Sequence, residues 1–387
     1  MHFLDAHNIH DLREAAKQRL PRVCFEWLEG GTEDHLTWRR NRAAFEDIRF
    51  SPHVLVNVGN RSQKTELFGK TFDSPFGIAP TGAAGLYGYR ADIALARAAQ
   101  QAGVPFILST ASFDPLEEVA RAATGATLWF QLYMSKNRET AGRLVQRAFD
   151  AGFEALVVTG DVPMIGNREY NKRNRFSAPF RLTSSTLLDG LLHPRWLAGV
   201  FLKTLLDSGV PRYQNDDSPP NTQSIVAAPV ASFQARRDEL DWDDFDWLRQ
   251  HWPRKLYLKG VLRADDALLA KQHGADGVFV SNHGGRQLDG APAPIEVLPA
   301  IRAAVGPDFK VMLDGGIQRG SDVAKALALG ADMAFVGRAT LYGLAAGGEP
   351  GVRHALALLR GELDRVMALL GVRSVAEIGP GCLYVKA

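Results

Sequence analysis

The sequence predicts an α/β chain closed into a (β/α)8 TIM barrel, and three observations lead there. From residue 76 onward, short apolar runs alternate with helix-like stretches. There are eight such runs, each nearly continuous in apolar residues, as buried parallel strands are. The alternation has no break in its order, which favours a closed barrel over an open doubly wound sheet.

The runs are FGIAPT (76–81), FILST (106–110), LWFQLY (128–133), ALVVTGD (155–161), KLYLKG (255–260), GVFVSNH (277–283), KVMLDGG (310–316) and MAFVGR (333–338). Between them lie RADIALARAAQQAG, NRETAGRLVQRAFDAG and RADDALLAKQHG, each ending in glycine, a common helix stop. All 387 residues are expected to form one domain. Residues 1–75 form an N-terminal helical and short-strand extension, 76–345 the barrel, and 346–387 helices packed outside it. About 90 residues separate the fourth and fifth strands, so the barrel carries a long insertion at about 177–240. Its stretch QNDDSPPNTQS (214–224) is polar with paired prolines and is expected to be mobile.

Composition excludes several classes. The net charge is +2 with both signs spread along the chain, so no basic stripe suggests nucleic acid. The two cysteines, Cys24 and Cys382, have no metal-ligand spacing, no zinc pattern occurs, and a reduced cytosolic setting is expected. The N-terminus, MHFLDAHNIHDLREAAKQRL, lacks the order of a signal peptide and reads as a short amphipathic helix. No apolar stretch approaches the roughly 18 residues of a membrane span. GAAGLYG (82–88) lacks the G-x-G-x-x-G spacing of a nicotinamide site.

Active sites of such barrels sit at the C-terminal ends of the strands. Those ends carry Thr81, Ser109, Gln131 with Tyr133, Thr159 with Asp161, Lys259, Ser281 with His283, Asp314, and Gly337 with Arg338. Any one of these is as readily a satisfied turn residue, but eight polar ends at one rim describe a ligand site. DGGIQRGSD (314–322), with Arg319 within it, opens a helix and FVGR (335–338) follows the next strand, which is a phosphate signal: Gly315, Gly316 and Gly337 let backbone N–H groups approach an anion, and Arg338 adds a bidentate contact. In SNHGGRQLDG (281–290) two glycines allow His283 and Arg286 to face one pocket, a base beside a carboxylate-binding arginine. TGDVPMIGNREYNKRNRF (159–176) adds Asp161, placed to orient His283, and Arg168 as a second carboxylate ligand.

Taken together, SNHGGRQLDG, IAPTG, FQLY, LKGV and DGG-x-x-RG-D resemble the FMN-dependent 2-hydroxy-acid oxidases and dehydrogenases, a family that includes glycolate oxidase, flavin-type L-lactate dehydrogenase and (S)-mandelate dehydrogenase. The resemblance runs from LPRVCFEWLEGGTED (20–34) to LGVRSVAEI (370–378). It implies FMN as cofactor, held by Pro80, Thr81, Gly82, Ser109, Gln131, Thr159, Lys259, Ser281 and Asp314, with Gly337 and Arg338 at the phosphate. It implies His283 as the base, Asp161 as its partner, Tyr133 at the substrate hydroxyl, and Arg168 and Arg286 at the substrate carboxylate. The implied reaction oxidises an (S)-2-hydroxy acid to the 2-oxo acid.

Three positions depart from the pattern. Trp27 stands where the family usually has a carboxylate-binding tyrosine. Ala111 stands where glycolate oxidase has a pocket tryptophan, which opens room for a bulky, mandelate-like side chain. Gln318 stands where many members have a phosphate-binding arginine. The insertion resembles the segment that docks membrane-bound bacterial members on the bilayer. Its stretch HPRWLAGVFLKTLL (193–206) mixes apolar residues with Arg195 and Lys203 and suits an interfacial helix. The expectation is thus a cytoplasmic protein with peripheral contact on the inner face of the cell membrane, a quinone-type electron acceptor and, from the resemblance, a tetramer. The rival is an oxidase that passes electrons to oxygen.

Overall fold

The computed structural model describes residues 2–174, 183–215, 224 and 237–384. The chain opens with three helices, α1 (Ile9–Arg19), α2 (Arg22–Glu29) and α3 (Leu36–Glu46). On α1 the Asn8 side chain caps the Asp11 N–H, and Ile9, Leu12, Ala15 and Ala16 form the buried stripe. Next comes a hairpin of β1 (Thr65–Leu67) and β2 (Lys70–Phe72). Its two turn residues, Phe68 and Gly69, both have positive φ, the twist that a two-residue hairpin needs.

Eight parallel strands follow: β3 (Phe76–Ile78), β4 (Phe106–Ser109), β5 (Leu128–Leu132), β6 (Ala155–Thr159), β7 (Lys255–Val261), β8 (Gly277–Val280), β9 (Lys310–Asp314) and β10 (Met333–Val336). They close in the order β10-β3-β4-β5-β6-β7-β8-β9, so the expected barrel is what forms. Most strands stop short of the expected ends. Thr81, Tyr133, Asp161, His283 and Arg338 lie just past the strands, where the backbone has left the ladder and side chains can turn over the rim. The interior is packed by Ile107, Trp129, Val157, Tyr257, Phe279, Met312 and Phe335, with Trp129 stacked on Tyr257 at 5.1 Å. Leu67 and Phe72 of the hairpin join this cluster.

The outer helices cover the apolar outer faces of the strands. The last begins at Arg338, earlier than the expected 346, and runs to Leu370 with a break at Gly348, where φ is +63° just before Pro350. In the insertion, helix Ser184–Leu192 precedes a helical segment over 194–208 that includes a π-helical part, Leu197–Leu202. The expected helix over this stretch forms, but its apolar residues divide. The Trp196 indole donates to the Leu86 carbonyl at 2.8 Å and Val200 is buried, so these two pack inward. The exposed leucines are Leu202, Leu205 and Leu206, joined by Leu187, Leu188, Leu191 and Leu192 of the preceding helix. Most of the 214–224 stretch lies outside the described residues. Among the described residues no helix is long and apolar enough to cross a membrane.

Candidate active site

At the C-terminal rim a cavity of about 410 Å³ is lined by Pro80, Thr81, Gly82, Gln131, Tyr133, Thr159, Lys259, His283, Arg286, Asp314, Gly315, Gly316, Gly337 and Arg338. Its floor is a polar belt that crosses from strand to strand. Ser109 Oγ on β4 donates to Gln131 Oε1 at 2.9 Å, and Gln131 Nε2 on β5 donates to Thr159 Oγ1 on β6 at 2.8 Å. Lys259 Nζ on β7 donates to Ser281 Oγ at 2.6 Å and pairs with Asp314 on β9 at 2.8 Å, while Ser281 Oγ donates to Asp314 at 2.5 Å. These groups meet because parallel register sets the end of one strand beside a polar residue near the end of the next, as in the pairs Ser109 with Gln131 and Thr159 with Lys259. Burial pushes the Lys259 ammonium down, but Asp314 and Asp161 outweigh it and hold its pKa above the usual lysine value.

The turn after β8 delivers the titratable pair. His283 has φ +59°, a left-handed conformation costly for most side chains and several-fold enriched in histidine. Gly284 and Gly285 continue left-handed. A Cβ on Gly285 would sit 2.6 Å from the Trp38 backbone, so only glycine lets α3 close on this turn. His283 Nδ1 lies 3.0 Å from Asp161 Oδ1, and Nε2 lies 3.3 Å from the Tyr133 hydroxyl. With Nδ1 protonated toward Asp161, Nε2 is the lone-pair nitrogen and Tyr133 donates to it. Burial lowers the His283 pKa, Asp161 raises it, and Lys259 and Arg168 lower it again, for a net value below the ordinary 6.5. Burial pushes the Asp161 carboxyl up, but the facing His283 and Lys259 hold it below the usual carboxylate range.

Three part-buried arginines surround this pair with no carboxylate partner among the described residues. Arg168 donates to the Arg286 carbonyl and to Gln287 Oε1. Arg286 donates to the carbonyls of Trp27 and Gly30, and Arg338 to those of Leu28, Gly30 and Gly284. The last carbonyls of α2 have no partners within their helix, and the two guanidinium groups fill that role while favouring the negative end of the helix dipole. Hydrogen bonds to neutral carbonyls leave the positive charge uncompensated. Burial and neighbouring Arg286 bring the Arg168 pKa down to about 10, which still leaves it charged at neutral pH. Such a cavity is built for anions.

Residues 16–385 match the FMN-dependent dehydrogenases. The chain belongs to that family. Over 376 residues this flavoenzyme is 43% identical to an (S)-mandelate dehydrogenase of Pseudomonas putida, covering 97% of this chain and 93% of that protein. It is 39% identical over 383 residues to an L-lactate oxidase of Nostoc sp., covering 98% of each. The solved structure of a monotopic membrane (S)-mandelate dehydrogenase superposes with a TM-score of 0.91 at 42% identity, over 99% of this chain and 100% of that one. The protein is an FMN-dependent 2-hydroxy-acid dehydrogenase or oxidase.

The cavity suits FMN in its donor set. The Thr81 hydroxyl is buried with no partner among the described residues, which leaves a hydrogen bond for a ligand to make. A Cβ on Gly337 would meet nothing closer than 3.6 Å, so backbone is bared there at the mouth of a long helix. Some expected site residues lie elsewhere. Arg319 does not line the cavity: its guanidinium pairs with Glu362, because the turn into helix Gly320–Ala328 directs it outward. Ala111 stands behind the wall, against Gly82, whose added Cβ would meet it at 3.0 Å. Arg168, Asp161, Ser109 and Ser281 act on lining residues rather than lining the cavity themselves. Trp27 does line it. Sequence reasoning missed His10, Arg13, Trp38, Asn41 and Arg42, which line it from α1 and α3. The composition of these helices carries no signal for that role; only their closure over the rim does.

Proposed function

We propose that the enzyme oxidises an (S)-2-hydroxy acid with a bulky, mandelate-like side chain and passes the electrons to a quinone-type acceptor at a membrane surface. The line Asp161–His283–Tyr133 carries this reading, together with the uncompensated Arg168 and Arg286 beside it. Arg286, which lines the cavity, binds the substrate carboxylate, and Arg168, bonded to the Arg286 carbonyl, adds positive charge behind it. With substrate bound, the Tyr133 hydroxyl turns from His283 Nε2 to donate to the substrate hydroxyl oxygen, which frees that nitrogen. His283 Nε2 takes up a proton from the substrate, and Asp161 keeps its tautomer and stabilises the resulting imidazolium. Bound FMN supplies the two-electron acceptor. Lys259, kept charged by Asp314, stabilises negative charge at the floor of the cavity.

Ala111 lies behind the wall at Gly82, so the bulky substrate class is supported by the similarity to an (S)-mandelate dehydrogenase. The exposed leucines of 184–208, from Leu187 to Leu206, support an apolar face laid on lipid, and the mandelate dehydrogenase of similar structure is a monotopic membrane protein. The test is a comparison of substrates and acceptors. Anaerobic flavin bleaching is expected to be faster with (S)-mandelate than with (S)-lactate or glycolate, and reoxidation faster with a quinone analogue than with oxygen. Bleaching by the small acids alone would overturn the substrate class. Stoichiometric hydrogen peroxide with no quinone reduction would assign the chain to the oxidases.

A further inference from the structure

We infer that Arg42, on α3, is a phosphate-binding residue for FMN and supplies the cation that position 318 lacks. FMN differs from riboflavin by one phosphate, a strong anion at neutral pH. Its binding calls for a cation that lines the cavity beside the glycine turns and keeps donors free there. Arg319 turns outward to Glu362 and does not line the cavity, and Gln318, which does, is neutral.

The remaining cations along the cavity separate cleanly. Lys259 is neutralised by Asp314. Arg13 pairs with Glu29, whose second oxygen accepts from the Tyr342 hydroxyl. His10 is exposed at the edge. Arg286 belongs to the loop of His283. Arg338 and Arg42 are left beside the glycine turns.

Arg42 is held for the purpose. Its Nη1 donates to the Gly316 carbonyl at 3.3 Å and to Asp322 Oδ2. The same carboxylate oxygen accepts from the backbone N–H groups of Gln318 and Arg319, each at 2.9 Å. Asp322, fully buried, therefore fastens the guanidinium and the 316–319 turn into one unit. The close fit depends on Gly316, with φ +81°, where any Cβ would lie 2.0 Å from the Asn41 carbonyl oxygen. Nε and Nη2 of Arg42 have no hydrogen-bond partner among the described residues, and the side chain is 35% exposed and lines the cavity. One end of the fork is anchored and the other is left for an anion.

The test reads cofactor affinity rather than turnover. Apoprotein is titrated with FMN and with riboflavin, following the quenching of flavin fluorescence. Arg42→Met is expected to weaken FMN binding roughly 10- to 100-fold, the range for a lost charged hydrogen bond, and to leave riboflavin binding unchanged. Adding Gln318→Arg to that variant restores the preference for FMN. Because Arg42→Met also breaks the bond to Asp322, Arg42→Lys is measured alongside: it keeps a charge for Asp322 but not the fork, and is expected to lower FMN affinity with riboflavin affinity intact. An FMN-to-riboflavin ratio unchanged in Arg42→Lys, or an equal fall for both flavins, would overturn the assignment.

Discussion

At the scale of single residues, the chemistry rests on how His283 is held. Its left-handed backbone, the Asp161 carboxylate on one ring nitrogen and the Tyr133 hydroxyl on the other fix both direction and tautomer. The base works only when neutral, so activity is lost as pH falls through its pKa. Because burial, Lys259 and Arg168 together prevail over Asp161, that midpoint is expected below the ordinary 6.5 in the pH profile of kcat/KM. Asp161→Asn removes the group that raises the pKa, so the midpoint moves further down while kcat falls by about 10²- to 10⁴-fold. A midpoint that rises in Asp161→Asn would contradict this electrostatic account. Tyr133→Phe removes a single donor and is expected to lower kcat about tenfold with FMN affinity unchanged, measured by steady-state kinetics and flavin titration. Most of these residues were legible in the sequence, because each lies at a fixed offset from a strand end. Arg319 was not placed correctly: one position in a helical turn decides between the cavity and Glu362, and spacing alone does not resolve it.

At the scale of elements, the strands set the polar belt and the appended segments complete it. The β1–β2 hairpin contributes Leu67 and Phe72 to the barrel's interior cluster. Phe72→Ala is expected to cost about 3–5 kcal/mol in denaturant unfolding, with KM nearly unchanged, since the hairpin takes no part in the rim. The insertion presents its leucines to solvent while Trp196 and Val200 anchor it on the barrel. Replacing Leu188 and Leu206 together with Asp is expected to move the protein from the membrane pellet to the supernatant, with kcat on a soluble acceptor retained. An unchanged distribution would contradict the interfacial reading. The apolar content of 193–206 was visible in the sequence, but not its division into inward and outward faces. A π-helical part shifts the side-chain angles away from the regular helical period on which such a forecast depends.

At the scale of the whole molecule, eight apolar runs were enough to announce the barrel, because buried parallel strands leave a nearly continuous apolar signature. The contribution of α1 and α3 to the cavity was not legible. Those helices are brought to the rim by long-range closures that no local pattern encodes, Thr37 on Asp289 and Asn41 on Asn282 for α3 and Arg19 on the Ala346 carbonyl for α1. The assembled cavity combines a polar floor, an oriented base, and Arg286 and Arg338 with no carboxylate partner among the described residues, an arrangement suited to an anionic cofactor and an anionic substrate together. The most direct test mixes the wild-type enzyme and His283→Ala anaerobically with (S)-mandelate while flavin absorbance is followed. The account predicts rapid bleaching of the wild type, and a variant that keeps its yellow cofactor but bleaches about 10²- to 10⁴-fold more slowly. Bleaching of His283→Ala at the wild-type rate would contradict the role given to this histidine.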